Sequence, residues 1–250
     1  MLLVWPLRDD GPPGARPLTT IAIMLASTGA SLWLWSLPPD AAAGAVHWFG
    51  LIPAGPLHPG LSSWVAPLTS LVLHAGWSHL LVNLAYLWLF GRGLEAALGH
   101  WRVLVLFVAS GLAGELAQIL AVPTSHLPMI GASGGISGVL GAYLLLFPRA
   151  NILTLTIFWR TRMILNIPSI IAIAPWLMTE LASLIHPDIG RGGTASVAHL
   201  GGFVTGLLLM PLLRTPGLTL LQPARTPAFS SVRPRGTASK YSSKSASTES

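Results

Sequence analysis

Of the 250 residues, 52% are hydrophobic and only 9% are charged, and the charges gather between long apolar runs. A soluble domain of this length needs more charge to cover its surface, so the composition is that of a membrane protein with one membrane domain. The lack of cysteine excludes disulfides, thiolate metal sites and cysteine nucleophiles, and because six of the fourteen basic residues lie in the last 37 positions, the net charge of +6 points to lipid headgroups and not to nucleic acid.

Residues 1–17, MLLVWPLRDDGPPGARP, are too interrupted by Pro, Gly and Asp for a helix and form a separate N-terminal segment. Six apolar runs follow, at about 19–37, 78–97, 101–122, 133–147, 163–185 and 196–213. Each is expected to be helical, because backbone groups in hydrocarbon must be paired within their own segment. The first run could pass for a signal peptide, with Arg16 before it and the small residues of 41–44 after it. It is longer than the usual h-region of about 7 to 15 residues, which favours a retained helix. The Trp-, Pro- and Gly-rich stretch AAAGAVHWFGLIPAGPLHPGLSSWVAPLTS suits a structured loop in the headgroup layer. From Thr215 the chain is rich in Pro, Ser, Thr, Arg and Lys, and residues 215–250 are expected to form a disordered basic tail. The expected fold is therefore all-α: a polytopic bundle of six transmembrane helices spanning 18–214, with an interfacial loop after the first helix.

Orientation follows from the basic residues. With the N-terminus inside, Arg8, Arg16, Arg92, Arg102, Arg149, Arg160, Arg162, Arg214, Arg225, Arg233, Arg235, Lys240 and Lys244 fall on the cytoplasmic side and only Arg191 falls outside. Thirteen against one favours six spans with both termini cytoplasmic, since one span more or fewer would scramble the asymmetry.

Polar groups inside apolar spans cost about 2.5 to 3.5 kcal/mol for a central charge and so raise a functional question. They occur in HAGWSHLLVN, GASGGISG and AHLGGFVTG, and as the isolated Glu115 and Glu180. Ser133 falls where a Pro-containing non-helical stretch gives way to the fourth run, which puts it at a helix N-terminus. Free N–H groups and the positive end of the helix dipole there favour developing negative charge. Of the histidines, only His199 lies well inside a later span and can serve as its base. Ser133 lies 16 residues before Arg149, and His199 lies 15 before Arg214. At about 1.5 Å per residue both stand roughly 22 to 24 Å above the cytoplasmic boundary, nearly level.

Ala198, Gly202 and Gly206, like Gly134 and Gly138, recur every four residues and give two helices smooth faces for close approach. For Ser137 the same packing role is expected. His79 and Asn83 share a face of the second span and could donate, with the Ser133 backbone N–H, to an oxyanion, while His74 could hold the adjacent loop. Taken singly, each histidine reads as a satisfied structural group. A metal site on His74, His79 and His199 competes, but there is no H-E-x-x-H pattern and no aspartate in any span. The lack of Asp also favours a two-residue Ser/His catalyst over a triad, leaving Glu115 and Glu180 as hydrogen-bonded links between helices. No metal or other cofactor is expected.

These residues resemble the rhomboid intramembrane proteases: His74, His79 and Asn83 in H-x4-H-x3-N, Gly131 to Gly134 in G-x-S-G, and His199 in A-H-x-x-G-x-x-x-G. The resemblance runs from about residue 67 to 210 and is similar to a common prokaryotic branch. It implies Ser133 as nucleophile, His199 as general base, His79 and Asn83 as oxyanion donors, and membrane-protein substrates with one span, unstable helices and small residues at the cut. It also implies the bacterial plasma membrane. Val65 follows Trp64 where many relatives carry Arg, and Ser137 stands where some carry Tyr against the catalytic His. The alternative within the same fold is a membrane chaperone that binds substrate helices without cutting. A transporter would show paired broken helices in both halves, and none is visible.

Overall fold

The computed structural model describes residues 2–10, 16–54, 62–158, 161–185 and 196–230. Three of its helices are long and apolar enough to cross a bilayer: α1 (Leu18–Ser36), α6 (His100–Ala121) and α9 (Ser196–Leu213). A fourth candidate is bent by 89°. Its first arm combines α3 (Ser62–Thr69) with the 3-10 turn Ser70–Val72, and its second runs through α4 (Trp77–Tyr86), the π turn Leu87–Gly91 and α5 (Arg92–Leu98). Two shorter apolar helices complete the set, α7 (Ser133–Leu146) and α8 (Ser169–Ile185). The 14 residues of α7 reach only about 21 Å, less than the roughly 30 Å of a hydrocarbon core, so its two ends cannot lie at opposite faces of a bilayer.

The outside of this bundle is apolar and much of its inside is polar. Leu25, Leu32, Leu81, Val82, Leu120, Leu208 and Leu212 are exposed, while Thr20, Ser27, Ser31, Ser110, Glu115 and Gln118 are buried. That inversion is what a lipid solvent selects, and a soluble monomer seldom shows apolar patches on this scale. The protein is an integral membrane protein.

At the centre, α7 packs against α6 and α9. A Cβ at Gly202 would overlap the backbone of Gly134, one at Gly206 the backbone of Gly138, and one at Gly141 the carbonyl of Phe203. The four-residue glycine spacing thus falls where two helix backbones touch. Around them Leu106, Val139, Leu140, Tyr143, Leu146 and Met210 form the main apolar core.

The fold is mostly helical but not all-α, because it carries an antiparallel sheet of order β1-β2-β3. Strand β1 (Leu2–Asp9) lies in the segment read as too interrupted for a helix, and it pairs with β2 (Asn151–Phe158), placing Leu2 opposite Phe158. Strand β3 (Thr161–Pro168) pairs with β2, placing Asn151 opposite Pro168. Residues 163–168 are therefore strand and not the start of a span. The reason is local: a residue before proline is steered away from helical angles, so α8 begins only after Pro168.

Two further expectations change. Helices α2 (Pro39–Phe49) and α3 occupy most of the described connection expected to be a loop, and the strip after α2 pairs with the segment before α7 through a Leu51–Met129 bridge. Residues 215–230, expected in the disordered tail, are held in place: Leu221 and Gln222 N–H groups bond the carbonyls of Leu145 and Leu146, and the Asn166 N–H bonds Ser230 O. The Thr226 N–H and hydroxyl donate to Asp10 at 3.0 and 2.7 Å, and Asp10 also accepts the Asn151 N–H at 2.8 Å. Next to it, Asp9 pairs with Arg92 at 3.0 Å and accepts the Tyr143 hydroxyl at 2.9 Å. Arg160, Arg191, Arg233, Arg235, Lys240 and Lys244 lie outside the described residues.

Candidate active site

Ser133 is the first residue of α7, preceded by Ala132 at φ −70°, ψ −7°. No side chain caps this end. The first-turn N–H groups of a helix have no partner within it, so they remain available to a ligand beside the serine. Two features hold this start. The Gly131 N–H bonds Ser70 O at 2.8 Å, and Gly131 itself adopts φ +141°, a region that favours glycine. A Cβ there would also stand 2.8 to 2.9 Å from the His79 ring.

Ser133 and His199 meet: His199 Nε2 lies 2.8 Å from Ser133 Oγ. They come from α7 and α9, the helix pair brought together by the glycine faces. Both line a cavity of about 150 Å³, with Gly131, Met129, Glu115 and Gln118 on its other walls. His79 and Asn83 are not among its lining residues. His79 nevertheless reaches the site through Gly131, and its ring packs edge-on against that of His74 with centroids 5.0 Å apart. Asn83, one turn further along α4, is buried and its side-chain NH₂ has no hydrogen-bond partner. An orphaned buried donor is costly and calls for an explanation.

His74 is fully buried and ties three elements together. Its Nδ1 lies 3.1 Å from Ser31 Oγ in α1, its Nε2 accepts the Ala132 N–H at 3.4 Å, and its carbonyl accepts Trp35 Nε1–H at 3.0 Å. It thus anchors the residue that precedes the serine. Ser137 turns its hydroxyl back onto Ser133 O at 2.7 Å, within its own helix. Among the described residues, no group of three His, Cys, Asp or Glu side chains is placed to hold a metal ion.

The two isolated glutamates have distinct places. Glu115 accepts the Ser70 hydroxyl and lines the cavity, linking α6 to the 3-10 turn. Gln118, one turn on, accepts the Ala198 N–H at 3.3 Å beside His199, a contact that sequence reasoning missed. Glu180 Oε1 stands 3.1 Å from His199 Nδ1. This carboxylate was expected to link helices, and it does join α8 to α9, but its partner is the imidazole already facing Ser133. A signal for its inward aim was present: Glu180 follows buried Ile173 by seven residues and precedes buried Ser183 by three, one face of a helix.

Comparison with known proteins bears on this arrangement. The Rhomboid domain profile matches residues 61–216. The rhomboid protein YdcA of Bacillus subtilis (strain 168) is 31% identical over 194 residues, covering 77% of this chain and 86% of YdcA. The rhomboid protease GluP of the same organism is 41% identical over 81 residues, 32% of this chain and 15% of GluP. Inactive rhomboid protein 1 of Drosophila melanogaster is 39% identical over 79 residues, 32% of this chain and 5% of that protein. Since similarity extends both to proteins named as proteases and to one named inactive, the side chains present must decide what this chain does.

Proposed function

Because the chain belongs to the rhomboid family, we propose that it is an intramembrane serine endopeptidase, with Ser133 as nucleophile and His199 as general base. The observation that carries this reading is the 2.8 Å contact between Ser133 Oγ and His199 Nε2 at the wall of a cavity within an apolar bundle. Its substrates are transmembrane segments of other membrane proteins, single-span and weakly helical at the cut. The protein resides in a bacterial plasma membrane, crossing it six times with both termini in the cytoplasm. The glycine contacts at Gly134, Gly202 and Gly206, the Gly131 turn and His74 serve to hold the two reacting side chains in place.

The chemistry runs in two steps. Ser133 Oγ attacks the scissile carbonyl carbon while its proton passes to His199 Nε2. The resulting oxyanion receives hydrogen bonds from the Ser133 backbone N–H, His79 and Asn83, the last giving its unpartnered amide a task. Collapse breaks the C–N bond, the amine leaves with the proton from His199, and an ester to Ser133 remains. A water entering by the cavity gives a proton to His199 and attacks the ester. Release of the new carboxyl group returns the hydroxyl to Ser133.

The test is cleavage of a model membrane substrate by the reconstituted protein. Ser133→Ala and His199→Ala should each lower kcat by more than about a thousandfold while leaving the fold intact. Equal cleavage by all three proteins would end the reading. Absence of cleavage, together with no fluorophosphonate labelling at Ser133, would favour a binding protein instead.

A further inference from the structure

We infer that Glu180 is a third member of the site, a positioning residue that holds the His199 ring and opposes the charge it acquires. This rests on the protease reading and departs from its two-residue catalyst. Glu180 Oε1 lies 3.1 Å from His199 Nδ1, on the side of the ring opposite the atom that faces Ser133, so the three side chains stand in series across α7, α9 and α8. Both members of the new pair are largely buried, with side chains 18% and 11% exposed. Ser196, in the first turn of α9, is buried beside the same carboxylate.

The need for such a residue is visible in the rest of the site. With the Ser137 hydroxyl directed to Ser133 O, that neighbour on α7 does not orient the imidazole. For Nε2 to accept the serine proton, the neutral ring must carry its own proton on Nδ1, and a carboxylate facing Nδ1 selects that tautomer. His199 Nδ1 is buried and its N–H is not aligned with any acceptor, so the pair is at ion-pair distance without a well-directed hydrogen bond. Apo geometries of this kind tighten once substrate is bound. When Nε2 takes the serine proton the ring becomes an imidazolium, and the carboxylate lowers the cost of that charge inside an apolar bundle. The Nδ1 proton stays on His199 throughout, so Glu180 gains and loses nothing.

The experiment compares full-length wild type with Glu180→Gln and Glu180→Asp, reconstituted in bicelles. Glu180→Gln keeps size and removes charge. It should lower kcat about a hundredfold with KM unchanged, and Glu180→Asp, which keeps the charge, should recover part of that loss. Histidine labelled with ¹⁵N, assigned by difference from His199→Ala, should show the Nδ1–H tautomer in the wild type and a mixture of tautomers in Glu180→Gln. An unchanged tautomer population together with unchanged kcat in Glu180→Gln overturns the inference, as does a Gln variant at least as active as the Asp variant. The nitrogen signals report on the pair whether or not the protein cuts, so the role of Glu180 can fail while the protease reading stands, and the reverse.

Discussion

His79 and Asn83 sit four residues apart on α4, a relation that any helix imposes, and so their common face could be read without a structure. Their contribution can be measured separately from that of the nucleophile. His79→Ala and Asn83→Ala should each lower kcat about a hundredfold to a thousandfold with little change in KM, because an oxyanion exists only beyond the ground state. Steady-state kinetics on the reconstituted protein checks this, and a change confined to KM would assign both residues to substrate binding. The Glu180 contact is of another kind. That Glu180 faces inward follows from its spacing to Ile173, but that it meets His199 depends on how α8 is rotated and tilted against α9, which no local pattern encodes.

At the scale of elements, helix bounds were legible to within a residue or two where apolar runs end in Gly, Pro or charge: α1, α6, α7 and α9 begin and end near residues 18, 100, 133 and 196 and 36, 121, 146 and 213. The sheet was not legible. Strands β1 and β3 each carry a proline, and β1 pairs with β2 across about 150 positions, so neither composition nor neighbouring sequence announces that pairing. The contact between α7 and α9 was signalled by glycine spacing and offers a direct test. Gly206→Val would drive a branched side chain into the backbone of Gly138, which cannot yield as a flexible side chain can. Overpacking of this sort costs about 1 to 3 kcal/mol, and a thermal melt in detergent should show a lowered midpoint. Gly29→Val, at a site where a Cβ meets nothing, should leave the midpoint near that of the wild type.

For the whole molecule, the proposed six crossings place the connection between α6 and α7 outside the cell and the segment following α9 inside. The chain has no cysteine, so Thr124→Cys and Ala224→Cys each introduce a single reactive thiol at an exposed position. A membrane-impermeant maleimide added to intact cells should label the first and spare the second until the membrane is opened. Labelling of both, or of Ala224→Cys alone, would refute the proposed orientation. Three long helices and one bent pair supply four of the crossings by length. In the proposed topology the remaining two fall to α7, which starts at Ser133 and crosses only together with the non-helical chain before it, and to α8, which takes over from a strand.

Asp10 receives hydrogen bonds from both Asn151 and Thr226, and this sets a timetable for biogenesis. Strand β1 leaves the ribosome some 150 residues before its partner β2 is made, and the clasp on Thr226 must wait for α9 to be inserted. Closing that clasp therefore follows the insertion of every helix described.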